Sequence, residues 1–250
     1  MAEFKLPTEV VKLPSKGLVY PKDNPLASGE IEMKYMTAKE EDILTNSNYI
    51  QQGIVFDKLF ESLIVSKINY DDIIVGDKDA IMVAARILGY GKMYKLKYTN
   101  PQSSQEEEID IDLTQLKEKN IDYSLFKNQN EFNYTLPVTQ NEITFKLLSG
   151  ADEKFIEKEN AALKKLKISN EITTRLKTQI LSVNGERDKK VIREFIDNAL
   201  LAADSVALRK HIRTISPGLD MTFNFVGSDG YVQEGVSIPF GLSFFYPDTL

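Results

Sequence analysis

The feature that most constrains this chain is an internal echo. Residues 31–44 read I-E-M-K-Y-M-T-A-K-E-E-D-I-L, and residues 143–156 read I-T-F-K-L-L-S-G-A-D-E-K-F-I. Each is a short alternating run, then a capping residue (Thr37, Ser149), then an acidic residue three positions on (Glu40, Asp152), then a helical pattern. Further along, the offset settles at 127 residues and holds for about 37 positions. Asp77 aligns with Asp204, Arg86 with Arg213 and Gly91 with Gly218. Tyr94, Leu96 and Tyr98 align with Met221, Phe223 and Phe225. Identity is near chance; the order of elements and the phase of apolar positions carry the duplication. Such a chain is expected to be α+β, two related helix-plus-β-hairpin halves with an extended N-terminal arm. Neither copy holds catalytic-looking residues, so a scaffold with two related binding ends is expected rather than an enzyme.

The expected organisation is an arm over 1–30, a first repeat over 31–130 and a second over 131–250. In the arm, Leu6-Pro7, Leu13-Pro14, Tyr20-Pro21 and Asn24-Pro25 force extended or turn geometry. The arm either crosses its own domain or reaches for a neighbour. In the first repeat, helices are expected near 38–44, 55–64 and 78–88, then a hairpin of strands 93–99 and 107–113. In the second, strands flank Val138-Thr139-Gln140-Asn141, and helices are expected over 151–167, across Ile172 to Ile180, over 188–201, and from an Asp204 cap to Ile215. A last hairpin turns at Val226-Gly227-Ser228-Asp229-Gly230. Phe244, Phe245 and Tyr246 follow, three adjacent aromatics that need covering by their own domain or by a partner.

Charge and composition exclude several classes. The net charge is −6 with no basic stripe, a poor match to a phosphate backbone, so no nucleic-acid partner is expected. No apolar run of 18 residues and no signal-peptide pattern is found, so no membrane partner is expected and the protein is expected to be soluble and cytoplasmic. There is no cysteine, which removes disulfides and thiolate chemistry. His211 is the only histidine, sits in a helical pattern and has no convincing serine partner. Gly89-Tyr90-Gly91-Lys92 lacks the spacing of a phosphate loop and reads as a helix end. Glu106, Glu108, Asp110 and Asp112 share one face of a strand. That face suits a solvated edge better than a hard-cation site, although a metal-dependent hydrolase remains the alternative. No catalytic residue, metal ligand or cofactor is expected.

Several motifs act in combination. Leu13-Pro14-Ser15-Lys16-Gly17 precedes Tyr20-Pro21 and then Met36-Thr37-Ala38-Lys39-Glu40-Glu41-Asp42-Ile43-Leu44. Later come Leu208-Arg209, Pro217-Gly218-Leu219-Asp220-Met221, Ile238-Pro239-Phe240 and Phe244-Phe245-Tyr246-Pro247. In order and spacing, over essentially the whole chain, these resemble the baseplate hub protein family of T-even-type contractile-tailed phages. The resemblance implies a viral protein of the tail baseplate hub, either a component that stays in the particle or an assembly chaperone, acting in the host cytoplasm. Its implied partners are other hub or tape-measure proteins, with the oligomeric state open. A non-viral adaptor is a further alternative. Relatives often carry C-P-x-C-type zinc knuckles at the two hairpin tips. Here those tips read Asn100-Pro101-Gln102-Ser103 and Val226-Gly227-Ser228-Asp229, so zinc is not carried over. The candidate partner contacts are Leu13, Pro14, Tyr20 and Pro21 in the arm and Phe244, Phe245 and Tyr246 in the tail.

Overall fold

The computed structural model describes residues 6–165, 167 and 169–245. The chain is α+β, with small antiparallel sheets set among helices. It opens with β1 (Thr8–Lys12), which pairs antiparallel with β2 (Glu30–Lys34), Val11 opposite Ile31. Only β1 of the expected arm is extended; the prolines after it sit in turns and a 3-10 turn over Pro25–Ser28, and the stretch crosses its own body. Leu13, Val19, Tyr20 and Leu26 all lie in the core.

Three helices follow, α1 (Ala38–Leu44), α2 (Ser47–Gln51) and α3 (Val55–Leu63). At the start of α1 the Glu40 carboxylate reaches back to the Thr37 amide at 2.9 Å. The Thr37 side chain takes the Glu40 amide in return, the capping box expected from the sequence, and its hydroxyl also donates to the Glu40 carboxylate. The short α2 was not legible as a helix, since it buries no residue and so leaves no apolar stripe. Then come α4 (Val75–Tyr90), whose last turn ends at Gly91 with φ +82°, and the hairpin β3 (Met93–Thr99) and β4 (Glu106–Asp112).

The second half repeats the order. β5 (Phe132–Thr135) pairs with β6 (Glu142–Phe145), and α5 (Gly150–Lys165) and α6 (Glu171–Gln179) follow. β7 (Ile180–Val183) adds a third strand beside β6. The apolar run there reads as the end of a helix, but Ile180 leaves the helix and pairs with Phe145. Next are α7 (Lys189–Asn198), α8 (Ala202–Ile215), the hairpin β8 (Thr222–Val226) and β9 (Val232–Ser237), and the one-turn α9 (Leu242–Phe245).

The two halves match residue by residue. Lys34 binds Glu40 at 2.8 Å, and Lys146 binds Asp152 at 2.6 Å, so a strand lysine meets the capping carboxylate twice. Met33 bridges Ile64 after α3, and Phe145 pairs with Ile180 after α6. The duplication therefore begins at β1 and β5, upstream of the sequence echo. The halves share one hydrophobic core. They also touch through backbone: the Val75 amide donates to Leu148 and the Gly150 amide to Ile73. Lys154 on α5 lies between Asp57 on α3 and Asp71, at 3.2 and 2.6 Å.

Candidate functional site

Three carboxylates among the described residues are fully inaccessible, Glu40, Asp77 and Asp204, and the last two are equivalent residues of the two halves. Asp77 and Asp204 sit in the first turns of α4 and α8 and are fully inaccessible. Neither is the helix N-cap expected from sequence; those positions are Ile74 and Leu201. Instead each carboxylate reaches across to the loop after the first strand of its half. Asp77 accepts from the Ser15 amide at 2.8 Å, the Ser15 hydroxyl at 2.7 Å and the Tyr20 hydroxyl at 2.6 Å. Asp204 accepts from the Val138 amide at 2.8 Å, the Thr139 amide at 3.1 Å and the Thr139 hydroxyl at 2.7 Å. Both loops begin with Leu-Pro, Leu13-Pro14 and Leu136-Pro137. That match carried the repeat upstream and was missed because the two loops differ in length.

Burial pushes the Asp77 carboxyl up, against its hydrogen bonds from Tyr20 and Ser15. The Tyr20 phenol is held above its ordinary value, by burial first and then by the Asp77 charge, and so stays a donor. At Asp204 burial also works against ionisation, but the Val138 and Thr139 hydrogen bonds outweigh it and hold the carboxylate below its usual range. Both groups fasten a loop, and a catalytic acid or base would need a path to substrate.

The expected contact residues fall mostly inside. Leu13, Pro14 and Tyr20 are buried, and of the arm candidates only Pro21 is exposed. Phe244 and Phe245 are both fully buried. Phe245 packs on Phe56 and Phe60 with ring centroids 5.6 and 6.4 Å apart, and Phe244 on Tyr94 at 5.0 Å. Arg86 Nε donates to the Phe244 carbonyl at 2.9 Å, and the same guanidinium caps the Gly91 and Met93 carbonyls. These side chains are core rather than exposed contacts, because the apolar area they bring is covered by α3 and α4. Tyr246 lies outside the described residues.

The other chemical candidates also turn inward or pair off. Lys92, just before β3, and Lys95 and Lys97 on it meet Asp112, Glu108 and Glu106 across the hairpin, at 3.0, 2.8 and 3.9 Å. Asp110 lies opposite Lys95 in the register. The acidic face is thus one side of a cross-strand charge ladder. His211 stacks on Tyr134 at 4.3 Å, and partial burial lowers its pKa. The two hairpin tips meet each other. Asn100 Nδ2 donates to Glu107 at 3.0 Å and Asp229 at 3.1 Å, while the Ser228 amide donates to Glu107 at 2.8 Å. This set of amide and carboxylates is hydrogen-bonded to itself and does not fit a tetrahedral zinc clip, which wants thiolate or imidazole. Sequence reading placed the tips at equivalent positions but not against one another.

One open cleft of about 470 Å³ lies where the halves meet. Ile74 and Leu148 contribute apolar wall, α6 brings Ile172, and α8 brings Arg209 and Arg213. Asp79 and Lys119 close one end. Burial raises the Asp79 carboxyl to about 6, partly offset by Lys119 and the Leu219 amide. No family model, curated protein or solved structure matches the chain. No helix among the described residues is long and apolar enough to cross a membrane.

Proposed function

We propose that the protein is a structural or assembly component of the tail-baseplate hub of a contractile-tailed phage, working by protein–protein binding. The supporting observation is the fate of its buried charge. Asp77, Asp204 and Arg86 are each bonded to the chain's own loops and termini. They stiffen a duplicated framework and are turned toward the chain's own loops and termini. The order of motifs along the chain supports the viral assignment. On this reading the protein acts in the host cytoplasm during assembly, as hub component or as chaperone, with hub or tape-measure proteins as partners.

The test is affinity purification of the tagged protein from infected cells, with mass spectrometry of the co-purifying proteins and of purified particles. Recovery of hub or tape-measure proteins is expected, and presence in the particle separates component from chaperone. Recovery of the protein alone, or only with host enzymes, overturns the reading.

A further inference from the structure

The internal duplication makes one half a template for the other, and the two differ in what fills one groove. Residues 55–63 of α3 correspond to residues 171–179 of α6, since each nine-residue helix ends in the same strand contact to its own half. Phe56 therefore corresponds to Ile172, and by the helix alignment Arg86 corresponds to Arg213. In the first half these two positions hold the chain's own aromatic segment: Phe56 packs on Phe245, and Arg86 bonds the Phe244 carbonyl. In the second half the same two positions line the open cleft of about 470 Å³. Ile172 is 50% exposed, whereas its counterpart Phe56 is partly buried against Phe245. Arg213 makes no hydrogen bond or ion pair to any described residue, whereas Arg86 makes three hydrogen bonds.

The reason the second groove stays open is legible in the chain. After β9 the polypeptide runs into Phe244-Phe245; the segment at the same offset after β4 is Lys117-Glu118. That polar segment bridges to Leu219 and remains exposed, so it brings no aromatic plug. The walls of the cleft have also changed. Arg209 and Arg213, four residues apart on α8, face it with no carboxylate in ion-pair range, and Lys119 stands at its end. The cleft also holds Asp79, Glu153 and Glu171, with Arg175 paired to Glu153, so the positive charge without an ion-pair partner is confined to the α8 wall above an apolar floor.

We propose that this cleft is a docking groove for a short partner segment carrying adjacent aromatic residues with carboxylates beside them. The aromatic side chains seat on Ile172 and Ile212 as Phe245 seats on Phe56. Arg213 bonds a backbone carbonyl of the segment as Arg86 bonds that of Phe244, and Arg209 meets the flanking carboxylate. The volume lies within the range of about 300–1,000 Å³ usual for pockets that bury a bound group. The groove stands apart from the baseplate reading, since purified protein tests it without any infected cell.

The probe is a fluorescein-labelled amidated peptide, Asp-Asp-Pro-Phe-Gly-Leu-Ser-Phe-Phe, titrated with the full chain by fluorescence anisotropy. Saturable binding is expected. Arg213→Ala should weaken it about tenfold, the worth of one good hydrogen bond to a charged group. Ile172→Asp should abolish it, and because Ile172 is half exposed that variant keeps its fold, which circular dichroism checks. A peptide with its last two phenylalanines changed to alanine should not bind. Hydrogen exchange should show protection in α6 and α8 on peptide addition. Absence of saturable binding to the unaltered protein overturns the proposal, as does undiminished binding to Ile172→Asp. Changes confined to α3 and α4 also overturn it, since they mean the peptide displaces the chain's own segment.

Discussion

Asp77 ties an early loop to α4 from inside the core. It gathers two hydroxyls and one amide from a loop 57 to 62 residues away. Replacing it with alanine leaves those donors buried and unpaired, so Asp77→Ala should cost about 2–4 kcal/mol in denaturant unfolding, and Tyr20→Phe only about 1 kcal/mol. Glu40 gives a pH signature. Burial alone would raise its pKa, but Lys34, Thr37 and Ser62 bond its carboxylate and lower it to about 2. A depressed carboxyl stabilises the fold above its unfolded value and loses that contribution as pH falls through the folded one. Stability should therefore drop between about pH 4.5 and 2, less so in Glu40→Gln. The full shift corresponds to about 3 kcal/mol, and with Lys34 partly in solvent about 1–2 kcal/mol is expected. The Thr37–Glu40 and Ser149–Asp152 boxes were legible in the sequence because their partners are three residues apart. The Asp77 and Asp204 contacts were not, since a carboxylate in a first helical turn reads as a dipole or cap residue whatever loop it meets.

At the scale of elements, local signals placed most helices and hairpins, and errors fell where packing decides. Strand β3 was read over its observed range, because alternation with Tyr94 and Leu96 inward is a strong period-two pattern. β7 was hidden because four apolar and small residues after a helix carry no period of their own. α9 is a single turn, and its importance comes from what covers it. Phe245→Ala should cost about 3–5 kcal/mol, the range for a fully enclosed phenylalanine, with the loss read by thermal or denaturant unfolding. A truncation removing 242–250 should then destabilise the whole fold rather than merely trim a contact. On β4, lysines already face the carboxylates, so millimolar calcium or magnesium should leave the melting temperature unmoved within about 1 °C; a dose-dependent rise would instead favour a metal site.

Across the whole molecule, the halves meet at a seam where backbone touches backbone. A Cβ on Gly76 would run into the Pro217 carbonyl oxygen at the end of α8. Alanine would gain up to about 1 kcal/mol of helix propensity, but overpacking against rigid backbone costs about 2–3 kcal/mol, so Gly76→Ala should destabilise. With one core running through both halves, unfolding should be a single cooperative transition by fluorescence and circular dichroism alike. Two separated transitions would mean the seam is weaker than its packing implies. The sequence by itself determined the α+β class, the duplication, the caps and the hairpins, because each rests on residues a few positions apart. Only the tertiary structure decided that the proline-rich start and the aromatic end are core, that the hairpin tips face each other, and that one of two equivalent grooves is filled and the other open. Those outcomes depend on surfaces brought together from 57 to 158 residues apart, where apolar burial and carboxylate bonding choose the partner and no local period records the choice.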